Sequence, residues 1–122
     1  MATQNALKIA TPWDCNGIAV YSWTLAQGDV GQAIVLPHLA DKAVQFLGTF
    51  GTGTVRIEGA NNPAASEADN AQWSTLNDPQ GNALDVTTAK LEQLLENPYL
   101  IRPRMVGGDG TTSVTIYMVL RS

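Results

Sequence analysis

Residues 43–59 read AVQFLGTFGTGTVRIEG and decide the fold. Before the Gly51-Thr52-Gly53 break, Val44, Phe46 and Phe50 share one parity, with Gly48 between them. After it, Val55 and Ile57 alternate with Thr54, Arg56 and Glu58. Side chains alternate faces along a strand, so each half can bury one side and hydrate the other. The glycines flanking Thr52 allow the positive φ angles of a tight turn. The stretch predicts a half-buried antiparallel hairpin.

Outward from the hairpin, similar signals repeat. Gly17–Leu25 (GIAVYSWTL) is β-branched and aromatic and predicts a strand with apolar residues on both parities. Gln32–Leu36 predicts another, closed by Pro37. Residues 60–71 (ANNPAASEADNA) are small and polar and predict a long exposed loop, a place where binding is common. Short strands are expected at Gln72–Leu76 and around Leu84 and Val86, with a dense turn signal at 77–82. Leu91, Leu94 and Leu95, at i, i+3 and i+4, predict one short helix over Thr88–Glu96, stopped by Asn97-Pro98. Tyr99–Val106 predicts a strand that Pro103 confines to an edge or a bulge. Thr111–Arg121 alternates Val114, Ile116, Met118 and Leu120 with Thr115, Tyr117 and Arg121, and predicts a strand. About eight strands at intervals of roughly ten residues imply an all-β antiparallel sandwich, of immunoglobulin-like or jelly-roll type, with one short helix.

Residues 1–16 lack this patterning and read as an N-terminal arm, with a short edge strand near Leu7–Ala10, ahead of a sandwich domain at 17–122. The first residues have neither a basic start nor a continuous apolar core, so no signal peptide is expected. No stretch has the roughly 20 apolar residues of a membrane span. Synthesis in a cytoplasm follows.

Composition narrows the function. The chain has 122 residues, a formal net charge of −4, one cysteine and one histidine. An acidic chain is not expected to bind nucleic acid directly, although Arg102 and Arg104 could form a local basic patch. Cys15 alone forms no internal disulfide and reads as a small hydrophobe. His38 reads as a loop residue, because a cupin-type or zinc centre needs several such ligands. Glu58, Glu67, Asp69, Asp78, Asp85 and Asp109 are scattered, with no pair placed for glycoside hydrolysis and no acidic ladder for calcium. Residues 107–110 (GGDG) lack the lysine and following helix of a phosphate loop. No catalytic residue, metal or cofactor is therefore expected. Trp13, Trp23 and Trp73 are compatible with core, protein-interface or sugar-stacking roles.

Four stretches together carry a family likeness: SWTLAQGDVG (22–31), FLGTFGTGTVRIEGANNP (46–63), WSTLNDPQGNAL (73–84) and ENPYLIRPRMVGGDGTTSVTIYMVLR (96–121). The chain from about Gly17 onward resembles the small virion proteins encoded beside the major capsid protein in tailed double-stranded DNA phages. Some of those resemble jelly-roll capsid cement, or decoration, proteins. The resemblance implies attachment to the major capsid protein on the outer surface of the virion, without membrane contact. Carbohydrate binding and a tail or head-completion role are the alternatives. Candidate interface residues are Leu7, Ile9, Trp13, Tyr21, Trp23, Trp73 and Tyr117. A sandwich has one inner face per sheet, so apolar residues on both parities predict a homodimer or homotrimer. The arm is expected to be mobile in the free protein and to dock on a neighbouring subunit.

Overall fold

The computed structural model describes residues 2–9, 17–35 and 37–122. Trp13 and Cys15 lie outside the described residues. Among the described residues, eleven strands build two sheets: β1 (Thr3–Gln4), β2 (Leu7–Ile9), β3 (Ile18–Leu25), β4 (Val30–Gly31), β5 (Asp41–Thr49), β6 (Gly53–Ala60), β7 (Ser74–Thr75), β8 (Asp85–Val86), β9 (Lys90–Gln93), β10 (Leu100–Gly107) and β11 (Ser113–Arg121). One sheet runs β2-β3-β11-β5-β9; the other runs β1-β4-β10-β6-β7, with β8 also on β6. From β3 onward the chain repeatedly changes sheet, and β11 and β10 return to the centres of the two sheets. This is the path of a jelly roll. Every strand pair is antiparallel except β1 with β4.

The central hairpin is β5–β6. Gly51 takes a φ of 58°, and the Gly53 amide closes the turn on the Phe50 carbonyl at 2.8 Å. The two strands then enter different sheets, so the hairpin is a corner between layers rather than a ladder. Val44, Phe46, Val55 and Ile57 point inward and are fully buried, as are Val114, Ile116 and Met118 of β11. These residues, with Trp23, Leu25 and Met105, form one continuous core between the sheets.

Four expectations are corrected. Residues 90–93 form β9, an edge strand on β5, instead of a helix. The isolated helix would have been too short to be stable, and pairing with β5 satisfies the same backbone while burying Leu94. The only helical turn among the described residues is a 3-10 turn at Asn70–Gln72, capped by Asp69. The strand expected at 32–36 is displaced to Val30–Gly31, leaving a single bridge from Ile34 to Ile101.

Pro103 sits in the central strand β10 and not at an edge, but the alternative expectation of a bulge holds: between the Ile101–Ile34 and Arg104–Val30 pairings the neighbouring segment carries one residue more than β10. Ile101 and Met105 donate to the Ile34 and Asp29 carbonyls on the β4 side. Pro103 between them has no N–H, and the Gln32 carbonyl on that side takes the Trp23 indole N–H at 2.9 Å instead. Gly31 makes this packing fit: a Cβ there would lie 2.7–2.8 Å from Pro103 and Trp23.

The described part of the arm is paired on its own protein. β1 lies on β4 and β2 on β3, and Gln4 Nε2 donates to Asp29 Oδ2 at 2.9 Å. The edge strand expected near Leu7 is thus present, while the expectation of a free arm does not hold for residues 3–9. The described residues contain no helix long and apolar enough to cross a membrane.

Candidate interaction surface

The two sheets present very different outer faces. On the β10–β6 sheet, the outward residues of register-matched pairs include Glu58 opposite Arg102 and Arg56 opposite Arg104. Glu58 is clamped by both neighbouring arginines. Arg102 Nε lies 3.0 Å from Oε1, and Arg104 Nε 3.0 Å from Oε2. Arg102 also donates to the Glu67 carbonyl and to Asn70 Oδ1, both at 2.8 Å. Its guanidinium lies 4.2 Å from the centre of the Trp73 ring, a cation–π distance. Burial holds the Arg102 pKa below its usual value, partly offset by Glu58.

The segment 61–72 folds over this face. It is exposed, as expected of a loop, yet wired internally: Gln72 Oε1 accepts from the Ser66 amide at 2.9 Å and the Trp73 indole donates to the Ser66 carbonyl at 3.0 Å. Glu67 Oε2 accepts from the Ala33 amide at 2.8 Å. Trp73, Ala60 and Leu100 form a second small core beneath the segment. The long polar loop thus covers its own sheet.

Among the described residues, no segment lies over the outer face of the β11 sheet in this way. Its outward side chains form rows across five strands. The middle row runs Leu7, Ser22, Tyr117, Gln45, Leu91. The next runs Ile9, Val20, Val119, Ala43, Gln93. Leu47 lies beyond the middle row beside Thr115, and Ile18 lies at the opposite end. Leu7 and Leu91, at the two rims, are 62% and 67% exposed. Among the described residues the only charges in these outward rows are Arg121 and Asp41, 3.7 Å apart at one end.

The candidate residues divide accordingly. Leu7, Ile9 and Tyr117 share the bare face. Tyr21 is on the inward parity of β3, opposite Met118, half-buried against the core. Trp23 and Trp73 are corrections: both are buried, at 1% and 7% exposure, with their indole N–H groups satisfied by backbone carbonyls. Neither offers an open ring for a partner or a sugar. Sequence parity had placed Ile18 and Val20 on a second apolar side of β3, but Leu47 and Leu91 were not singled out; Leu91 was read as part of a helix. The register of five strands assembles the patch, and register is not written locally in any strand.

Other concave or charged features are saturated by the protein itself. An open groove of about 390 Å³ is lined by Gly59, Asn61, Gln72, Glu96 and Pro98 among others. Its carboxylate, Glu96, accepts from the Asn77 amide and side chain, each at 2.7 Å. Burial alone would raise the Glu96 pKa; these two bonds outweigh it and lower it. Asp109 accepts from Thr111 and Thr52, tying the 107–112 loop to the hairpin turn. Lys42 is buried, and its ammonium donates to the Ala40 carbonyl and Asn97 Oδ1; burial lowers its pKa. His38 is exposed. Among the described residues no three or more His, Cys, Asp or Glu side chains are gathered to hold a metal ion.

No protein-family model matches the chain, and no curated protein does. Among solved structures, a cupin domain from Bordetella pertussis Tohama I is similar, with a TM-score of 0.47 and 13% identity over 100% of this chain and 99% of that one. The jelly-roll assignment rests on the strand order and pairing of this chain.

Proposed function

We propose that the chain is a capsid cement, or decoration, protein of a tailed phage, which binds the outer shell between capsomers and stabilises the head. The observation that carries the reading is the bare apolar face of the β11 sheet. Leu7, Ile18, Leu47, Leu91 and Tyr117 are all exposed on this one face, between polar neighbours such as Ser22 and Gln45, and exposed apolar residues gathered on one face mark surfaces that meet a partner. The likeness of its turn-rich stretches to small virion proteins supplies the setting. The mechanism is mechanical: a ligand that binds only the assembled shell shifts its equilibrium by mass action, and many modest contacts add.

The test uses heads lacking the protein. Purified chain added back should co-sediment with them at saturable stoichiometry and raise the temperature at which they release DNA, read with a DNA-binding dye. Failure to bind such heads, with the protein folded by circular dichroism, would overturn the proposal.

A further inference from the structure

We infer that a second copy of this chain covers the bare face of the β11 sheet, as a two-fold, face-to-face dimer. The inference rests on the reading of the chain as an assembly component and names the occupant of its surface.

Area favours such a partner. Five strands about 4.8 Å apart give a face about 20 Å wide; it is about 30 Å long along the nine residues of β11 and narrows to about 10–14 Å at the three- and four-residue edge strands β2 and β9. The accessible surface of such a face, larger than its flat footprint, is comparable to the roughly 800 Å² each partner contributes to a standard interface. One matching sheet would fill it.

Charge selects the partner further. The chain carries a net charge of −4, so copies repel at long range. Among the described residues the outward rows carry only Arg121 and Asp41, already paired and at one end, while Lys8, Lys90 and Glu92 sit on the opposite parity of the two edge strands, so copies meeting at the centre of the face bring no like charges together. A strongly charged partner would gain nothing from this surface.

Shape sets the symmetry. A face that packs on itself, two twisted sheets of the same hand meeting at an angle, makes an isologous contact, which closes with two copies. Tyr117 lies in the middle row on the central strand, so an axis through the centre of the face brings Tyr117 against Tyr117 of the second copy. Leu7 and Leu91 at the rims then close the contact at both sides. Sheets packed this way lie about 10 Å apart with side chains interdigitated. A trimer would require two different patches, and the rows form one.

Sedimentation equilibrium over a micromolar range is the test, on the full chain and on Tyr117→Lys, Leu91→Lys and the control Gln80→Lys, which lies in an exposed turn. All three changed side chains are at the surface, and circular dichroism reports whether each variant folds. The wild type and Gln80→Lys should sediment as dimers. Tyr117→Lys should raise the dissociation constant by about a hundredfold or more, as expected at an interface centre, and Leu91→Lys by less. A wild-type monomer, a trimer, or a dimer indifferent to both lysines would overturn the inference. Binding to heads is read separately. A monomer whose attachment to heads is lost in Tyr117→Lys would give the face to the shell, overturning the inference while the cement reading stands. A Tyr117-dependent dimer that binds no heads would uphold the inference and remove the cement reading.

Discussion

The outer faces of the two sheets show two solutions to one problem. A sandwich buries one side of each sheet and must dispose of the other. On the β10 sheet the chain covers the surface itself, with segment 61–72 held by the arginine–glutamate cluster and Trp73. On the β11 sheet it leaves Leu7, Tyr117, Leu47 and Leu91 in contact with solvent. The first face is expensive in polar groups and complete in the monomer. The second is simple, apolar and incomplete. The asymmetry divides the described residues into a side covered by its own chain and a side that the proposed dimer would cover.

The largest expected effect breaks the covered face. Arg102→Met leaves Glu58 buried with Arg104 as its remaining cation and removes the anchor of segment 61–72. Removing one partner of a buried pair typically costs 3–5 kcal/mol. Because Arg104 still holds Oε2, a loss of about 3 kcal/mol in urea unfolding is expected, with faster proteolysis inside 61–72. Adding Glu58→Gln should recover much of that loss, since it removes the uncompensated charge. A loss below about 1 kcal/mol would mean that the loop, and not the ionic cluster, covers this face.

An aromatic-to-alanine pair sharpens the contrast. Trp73→Ala empties the small core under the loop, and Trp→Ala in a core costs about 3–5 kcal/mol. Tyr117→Ala on the bare face should change the stability of the monomer by no more than about 0.5 kcal/mol, as for surface sites generally. Both are read by denaturant titration at concentrations low enough for monomer. Equal effects would erase the distinction between the faces.

The smallest effect concerns Lys42, a buried cation with no carboxylate bonded to its ammonium. Lys42→Met should change stability at neutral pH by no more than about 1 kcal/mol, because lost hydrogen bonds are offset by relief of a buried charge. The sign with pH is definite. Burial lowers the folded-state pKa below the ordinary 10.5, so between the two values the unfolded chain binds more protons. The Lys42 contribution to stability therefore rises with pH across that window and is least favourable below it. The difference between wild type and Lys42→Met, measured against pH, should shift in favour of wild type as pH approaches 10.5. A flat difference would mean that the ammonium is well solvated.

Much of the fold was legible in the sequence, because alternation in 43–59, 17–25 and 111–121 needs only one buried face to be readable. The helix over 88–96 was misread for a definite reason. Leu91, Leu94 and Leu95 fit a helical stripe, but in the fold Leu94 enters the core while Leu91 joins the bare face and Leu95 stays exposed. Three leucines serving three surroundings happened to have helical spacing. Pro103 was expected at an edge or a bulge; the strand is central, yet the register slips by one residue opposite the proline, and the indole of Trp23 takes the Gln32 carbonyl there. The Arg102–Glu58 pair was out of reach, being 44 residues apart and joined only by register. Sequence supplied the residues of the bare face that lie on β2, β3 and β11; pairing alone added Leu47 and Leu91.

The order of strands has a consequence for how the protein is made. The strands at the centres of the two sheets, β10 and β11, come after every other strand in sequence and so are made after them. Before that, β3 and β5 have no strand between them, and neither do β4 and β6. Pairings so distant in sequence form late and slowly. A prematurely terminated chain therefore cannot build either sheet and would present unpaired edges and apolar side chains to chaperones and proteases. The topology makes both sheets depend on their latest-made strands: the outer face of the β11 sheet exists only once β11 has entered between β3 and β5.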